Sequence, residues 1–192
     1  MEIETYRTLL VAPDTNERNI ARATLEESGQ TVVAEAATLG EMKIAFEQTR
    51  PEVVLLDAAL LPLTDEMRDL LHPTALVILR PVEPDAETVA KIAESAAFST
   101  LCRPFHAEAA TAEIALAVAR NTDLLDCNTE LNKVQTRLAD RIVIEKAKGM
   151  LIAREGLTEP EAFKRIHFTA RKANRTMRDV AEEVIARIES EA

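Results

Sequence analysis

A group of basic side chains near the C-terminus could bind the phosphates of a nucleic acid. Between positions 141 and 178 the chain has 10 Lys or Arg residues and 4 acids, a local charge of +6. Such side chains neutralise phosphates and release counterions, and the arginine fork also fits base edges. A solvated helix face would have the same composition. The candidate contacts are Arg141, Lys148, Arg165, His167, Arg171, Lys172, Arg175 and Arg178, with His167 placed to stack on a loop base.

A second group of charged side chains could form a ligand pocket. Asp14, Asp57, Arg80 and Arg103 each lie at or just after the end of a short apolar run. Carboxylates of this kind hold Mg²⁺ together with phosphate oxygens, and a guanidinium pairs with carboxylate or phosphate. Each residue also has a structural interpretation: Asp14 as a helix cap, Asp57 as a turn residue, and the arginines as surface charges.

The elements that must position this second group alternate between strand and helix. Apolar runs at 8–12, 32–34, 52–57, 75–79 and 98–102 predict five strands. Helices are expected between them, the first opened by Asp14 or Thr15, the second capped by Thr38, and two more near 64–71 and 85–95. This alternation predicts an α/β fold with a five-stranded, doubly wound parallel sheet. Ligands of such sheets bind at the carboxyl ends of the strands.

The first part of the chain resembles the receiver domain of two-component response regulators. The resemblance covers residues 6–120 and rests on Val53-Val54-Leu55-Leu56-Asp57 and on Arg103-Pro104-Phe105, where the family has Lys-Pro-Phe. It implies a flavodoxin-like fold in which Asp57 would be the phospho-acceptor and Mg²⁺ would sit near Asp14 and Asp57.

This chain departs from the receiver pattern around the pocket. One of the two acids after the first strand is Pro13, the hydroxyl residue after the fourth strand is Arg80, and the switch aromatic is Thr100. We expect the Arg80 guanidinium to pair with Asp57 or Asp14 and to replace the charge of the metal. The domain is therefore predicted to be a degenerate pseudo-receiver, poorly phosphorylated, with Mg²⁺ binding in doubt.

A long helical stretch without internal proline follows, from 107 to about 152. Leu124, Leu131 and Leu138 recur every seven residues, and Asn128, Gln135 and Ile142 take the intermediate heptad positions, which predicts a coiled-coil homodimer. The alternative is a monomeric helix that packs Leu125 and Val134 against the first domain.

Three amphipathic helices are predicted at the C-terminus. The first runs from about 129 to 153 and stops at Gly156, and a Thr158–Glu161 capping pair opens the second. The apolar side of the second helix is predicted to contain Ala162, Ile166, Phe168 and Ala170. Thr176 and Asp179 would cap the third.

This C-terminal pattern resembles the ANTAR module, a small RNA-binding domain of bacterial transcription antiterminators. The resemblance implies a dimer that binds paired hairpins in leader mRNA and blocks an overlapping terminator. His167 and Arg171 depart from the family pattern. The matching residues are Arg141, Ile144, Ala147, Lys148, Gly149, Leu151, Gly156, Leu157, Glu161, Ala162, Ala170, Asn174, Val180, Ala181 and Ile185.

The chain of 192 residues is expected to form a receiver-like domain at 1–120, a coiled-coil linker at 121–138 and an ANTAR three-helix bundle at 139–192. Residues 1–120 have 20 acids and 10 Lys or Arg, whereas 121–192 have 13 of each, so only one segment suits a polyanion. No membrane span or signal peptide is expected, and two lone cysteines favour the cytoplasm.

The expected function is therefore transcription antitermination through RNA, with a sensor kinase or an inhibitory protein as the regulatory partner. An enzyme is not expected, because no nucleophile–base pair, zinc-ligand spacing or glycine-rich phosphate loop is present. Two alternatives remain open: a DNA-binding response regulator, and a regulator that acts only through protein contacts.

Overall fold

The computed structural model describes residues 4–190, and its N-terminal part is built on a five-stranded parallel sheet. The strands are β1 (Arg7–Val11), β2 (Thr31–Ala36), β3 (Val53–Asp57), β4 (Ala75–Arg80) and β5 (Ser99–Cys102). Their order is β2-β1-β3-β4-β5, with every neighbouring pair parallel. The alternation of strand and helix predicted such a doubly wound parallel sheet, and this strand order is that of the flavodoxin-like class that the receiver resemblance implied.

Helices follow each of the strands β1 to β4 and begin where the sequence places side-chain caps. They are α1 (Thr15–Glu27), α2 (Leu39–Thr49), α3 (Asp65–Leu71) and α4 (Ala86–Glu94). Asp14 and Thr38 cap α1 and α2, as predicted, by accepting the backbone N–H of Glu17 and of Glu41. The caps fix where each helix starts, and therefore how the loop after each strand is shaped.

The sheet is buried on both faces. Alternate strand residues such as Leu9 and Leu56 pack under α2, α3 and α4. Their neighbours Leu10 and Leu55 pack on the other face, under α1 and the first turns of the helix that begins at Ala107. Because strand side chains alternate between faces, continuous apolar runs cover both sides of such a sheet.

The C-terminal part is helical. It contains the long helix α5 (Ala107–Glu155), α6 (Glu159–Ala173) and α7 (Met177–Ser190). Gly156, with φ of 68°, ends α5 in the left-handed conformation that favours glycine. Glu161 accepts the backbone N–H of Thr158 at the start of α6, and Thr176 and Asp179 cap α7 reciprocally, so both predicted capping pairs are confirmed.

The chain divides into two compact units between Asp126 and Cys127. In the second unit the later turns of α5 pack with α6 and α7 around a small core that includes Ala147, Leu151, Ile166 and Ala181. Within residues 4–190, none of the helices combines the length and the apolar character that crossing a bilayer would need.

One predicted core position is wrong. Phe168 was expected on the apolar side of its helix, but its side chain is 68% exposed, whereas Ala162, Ile166 and Ala170 are buried. At 100° per residue, Phe168 lies on the opposite side of α6 from the direction midway between Ile166 and Ala170. The helical spacing, not the residue type, decides which face is buried.

Candidate nucleic-acid interface and aspartate pocket

The carboxylate of Asp57 is buried at the end of β3 and is paired with Arg103. The side chain is only 2% exposed. Its Oδ2 atom lies 2.7 Å from Nη1 of Arg103, and its Oδ1 atom accepts Nη2 of the same guanidinium at 3.4 Å and the backbone N–H of Ala59 at 2.9 Å. Arg103 also donates to Glu17. One guanidinium therefore bridges two carboxylates, and both oxygens of Asp57 are engaged.

The predicted partner of Asp57 was the wrong arginine. Arg80 donates instead to the hydroxyl of Thr100 at 3.4 Å and to the carbonyl oxygens of Pro81 and Val82. The side chain of Arg80 therefore turns along the β4–β5 edge of the sheet. The charge beside Asp57 comes from Arg103, the residue that follows β5.

The pocket residues do not fit a magnesium ion. Mg²⁺ needs carboxylate oxygens that are free to coordinate. Both oxygens of Asp57 accept hydrogen bonds, and Oδ1 of Asp14 accepts the backbone N–H of Glu17 at 2.8 Å. Within residues 4–190 no group of three or more His, Cys, Asp or Glu side chains is arranged to hold a metal ion.

In the second unit, half of the predicted RNA contacts are held by acids of the same unit. Arg165 pairs with Glu155, Arg175 with Glu183 at 2.6 Å, and Arg178 with Asp140 and Glu182, each at 2.9 Å. Lys148 is the fourth of these residues and the most buried. Its side chain is 7% exposed, and its ammonium group lies 3.0 Å from Glu145 and 2.9 Å from Glu159. Hydrogen bonds that Lys148 donates to Glu159 and Glu145 raise the pKa of Lys148 above its ordinary value.

The other predicted cations are free to meet a ligand. Arg141, Arg171 and Lys172 are exposed, and within residues 4–190 they form no salt bridge. Lys164, which is also exposed and without a salt bridge there, lies on the same helix as Arg171 and Lys172. The structure therefore separates a set of unpaired cations on α6 from cations that stabilise the fold.

Aromatic side chains lie among these cations. The rings of Phe163 and His167 are stacked, with centroids 5.9 Å apart and planes at 9° to each other. Phe163 is 45% exposed, and Phe168 is the most exposed large apolar residue in this part of the chain. Sequence reasoning identified His167 as a candidate for base stacking but missed both phenylalanines. Both phenylalanines lie next to Lys or His in the sequence and outside the spacing of the buried residues Ala162, Ile166 and Ala170, and this signal could have revealed them.

Comparison with known proteins identifies this unit. Residues 132–185 match the family model described as "ANTAR domain". The chain carries an ANTAR domain. It is 28% identical over 169 residues to the transcriptional regulatory protein PdtaR of Mycobacterium tuberculosis, an alignment that covers 84% of this chain and 80% of that protein. Upstream of its ANTAR domain the chain has the receiver fold.

Two solved structures document the receiver fold. The signal receiver domain of a modulated diguanylate cyclase from Desulfovibrio desulfuricans G20 superposes with a TM-score of 0.54 at 20% identity, covering 62% of this chain and 98% of that one. A two-component response regulator of the LuxR family from Aurantimonas sp. SI85-9A1 gives 0.51 at 24% identity, covering 60% and 86%. At these identities the likeness concerns the fold alone.

The ANTAR domain itself contains both the ion-paired residues and the unpaired cations of α6. Lys148 links α5 to the start of α6 through Glu159, and Glu155 links the end of α5 to Arg165 and Arg187. Hydrogen bonding from Arg187, together with the charge of Arg165, lowers the pKa of Glu155. These contacts connect the end of α5 to α6 and α7 and leave the outer side of α6 exposed.

Proposed function

We propose that the protein is an RNA-binding transcription antitermination regulator. It binds paired hairpins in leader mRNA and prevents the terminator from forming, without catalysing a reaction. The observation that carries the proposal is the exposed side of α6 in the ANTAR domain, where Lys164, Arg171 and Lys172 form no salt bridge among the described residues. Unpaired exposed cations bind phosphates at a low cost, because no internal ion pair has to break first.

Hairpin loops are the RNA element that this surface fits best. Proteins read RNA sequence chiefly in unpaired loops, where bases can stack on aromatic rings while cations hold the backbone. Phe168 lies among these cations on the outer side of α6, and the stacked rings of Phe163 and His167 lie on the adjoining side of the same helix. A purely electrostatic surface would need only the cations.

A second copy of the chain is the proposed partner of α5. Leu131, Leu138 and Ile142 are 52%, 59% and 62% exposed, although they are large apolar residues at heptad positions of one seam. Leu124 and the half-buried Asn128 extend the same seam. A seam with a polar core position favours a two-stranded coiled coil in one register. Dimerisation would present two ANTAR domains to two hairpins.

The receiver-fold domain is proposed to be an atypical regulatory domain. Phosphorylation of Asp57 would require its oxygens to be released from Arg103. We therefore expect little labelling of Asp57 by acetyl phosphate and Mg²⁺. Control would then come from a protein partner, which could be inhibitory or a sensor kinase that acts through docking.

The test compares hairpin RNA with duplex DNA of the same length in gel shifts at a fixed salt concentration. The expected result is tight binding of the hairpin and weak binding of the duplex. Arg171→Glu combined with Lys172→Glu should weaken hairpin binding by at least tenfold, because two phosphate contacts are lost and two repulsive charges are added. The matched control is Lys43→Glu with Lys91→Glu, which makes the same charge change on the receiver-fold domain.

Three results would contradict the proposal. Preference for duplex DNA would indicate a DNA-binding response regulator. No binding to either nucleic acid at low salt would indicate a regulator that acts only through protein contacts. Equal losses in the two double variants would mean that net charge, and not the α6 surface, determines binding.

A further inference from the structure

The outward side of α6 presents an aromatic ring at its centre. Phe168 is 68% exposed, more than any other large apolar residue that the structure describes in either unit. On the opposite face of the same helix, Ile166 and Ala170 are buried in the core, with side chains 1% and 3% exposed. An exposed phenylalanine gains nothing from burial in the folded chain, so its environment on the surface indicates its role.

Cations surround this ring at helical spacing. Lys164 precedes Phe168 by four residues, and Arg171 and Lys172 follow it by three and four, so all three project from the same side of α6. No acid occupies this side between 163 and 172, and none of these cations makes a salt bridge within residues 4–190. The ring therefore lies within a cluster of positive charges that form no salt bridge. Glu161, one turn before Lys164 on this side, accepts hydrogen bonds from Thr158 and interacts with Lys164 by charge.

A second flat ring, that of His167, belongs to the residue directly before Phe168 and lies about 100° round the helix from it. His167 is stacked on Phe163 at an interplanar angle of 9°. This contact fixes the orientation of the imidazole ring before any ligand binds. Rings held in place lose less entropy on binding than mobile ones.

We propose that Phe168 is a base-stacking platform for unpaired bases of an RNA hairpin loop, with the stacked pair Phe163–His167 on the adjoining side of the same helix. The inference rests on the proposed function and specifies which side chains recognise the loop. Every base has a flat π face, and the flanking cations suit the phosphates on either side of a stacked base. An apolar protein surface could cover Phe168, but it would also bury the three neighbouring cations without acidic partners, which is costly.

Phe168→Trp provides a direct test, because the chain has no tryptophan of its own. The probe is a hairpin selected by the full-length wild-type protein from a pool with randomised loops, together with the same stem with abasic loop nucleotides. Emission of the new tryptophan should be quenched by the selected hairpin and much less by the abasic one. The control is Val82→Trp, which places a tryptophan at an exposed position of the receiver-fold domain and should not be quenched.

Affinity measurements separate stacking from other contacts. Phe168→Ala should weaken binding of the selected hairpin by about 5- to 100-fold, the range expected for one base–aromatic stack. Phe168→Leu, which is apolar but not flat, should be almost as weak, whereas Phe168→Trp should bind as well as wild type. None of the three should change the dependence of affinity on salt, which Lys172→Glu should reduce.

The outcomes distinguish this inference from the function on which it rests. If the wild-type protein selects no hairpin, the proposed function fails. If it selects hairpins but Phe168→Trp is not quenched and Phe168→Ala binds normally, only the stacking platform is wrong. If Phe168→Leu binds like wild type, or Phe168→Ala changes the oligomeric mass, Phe168 belongs to a protein interface and the inference is overturned.

Discussion

At the scale of single residues, one substitution changes the chemistry of the receiver-fold pocket. Arg103 brings a planar fork to a buried carboxylate and engages both of its oxygens. A lysine, whose ammonium group is a compact point charge and not a planar fork, would leave more of the carboxylate free. The guanidinium of Arg103 therefore neutralises the carboxylate of Asp57, as a bound cation would, and it is part of the chain itself.

The first prediction concerns magnesium. In thermal unfolding, Mg²⁺ should leave the melting temperature of the wild-type protein unchanged, because Arg103 occupies Asp57. Arg103→Ala should lower the free energy of unfolding by about 1–3 kcal/mol, since a buried carboxylate loses its partner. It should also make the melting temperature rise with Mg²⁺, because a cation that binds only the folded state stabilises it.

Arg80→Ala is the matched control for this experiment. Arg80 bonds to Thr100 and to two carbonyl groups, not to Asp57. The melting temperature of this variant should therefore remain insensitive to Mg²⁺. Stabilisation of the wild-type protein by Mg²⁺, or a response in Arg80→Ala equal to that of Arg103→Ala, would contradict the role given to Arg103.

At the scale of elements, α5 is predicted to dimerise through its heptad seam. Leu131→Asp places a charge at the centre of that seam, and in a two-stranded coiled coil the two aspartates would face each other. The dimer dissociation constant should rise by at least tenfold, which corresponds to about 1.4 kcal/mol. Sedimentation equilibrium at micromolar concentration measures this change directly.

Thr136→Asp is the control for the dimer. It adds the same charge to the same helix at an exposed position beside Gln135, one residue out of the seam. Its mass should stay that of the wild-type protein. A wild-type chain that is already monomeric, or one whose mass does not respond to Leu131→Asp, would favour the monomeric helix.

The sequence predicted the elements better than it predicted contacts between side chains. Caps such as Asp14 and Thr38 act over three residues, so local pattern is enough to place them. The pairing of Asp57 with Arg103 joins residues 46 positions apart and depends on how the side chains bend above the sheet edge. The sequence pattern placed both Arg80 and Arg103 at that edge, but it does not contain the information that would select Arg103 as the partner of Asp57.

The same limit applies to the nucleic-acid interface. The cations at 165, 175 and 178 are indistinguishable in sequence from those at 171 and 172, and only the fold shows which have acids within reach. Lys148 was predicted as an RNA contact, yet its environment is that of a buried ion-paired side chain. Phe168 was missed because its residue type suggested the core.

At the scale of the whole molecule, the charge is distributed unevenly along the chain. The total is −10, and residues 1–120 alone account for it with 20 acids and 10 Lys or Arg. The cationic surface of the ANTAR domain therefore belongs to a chain whose other domain repels RNA. Such repulsion acts over roughly one Debye length, about 10 Å at 0.1 M salt and about 3 Å at 1 M.

Deleting residues 1–120 should therefore raise affinity for hairpin RNA, and the gain should depend on salt. The truncated chain keeps the heptad seam from Leu124 onward and the whole matched ANTAR region at 132–185. If repulsion is the cause, it should bind several-fold more tightly than the full chain at about 50 mM salt and equally at about 0.5 M. Helical circular dichroism would first establish that the fragment is folded. A gain that persists at high salt would mean that the receiver-fold domain covers the RNA surface by contact, and a loss of affinity would mean that it supports binding.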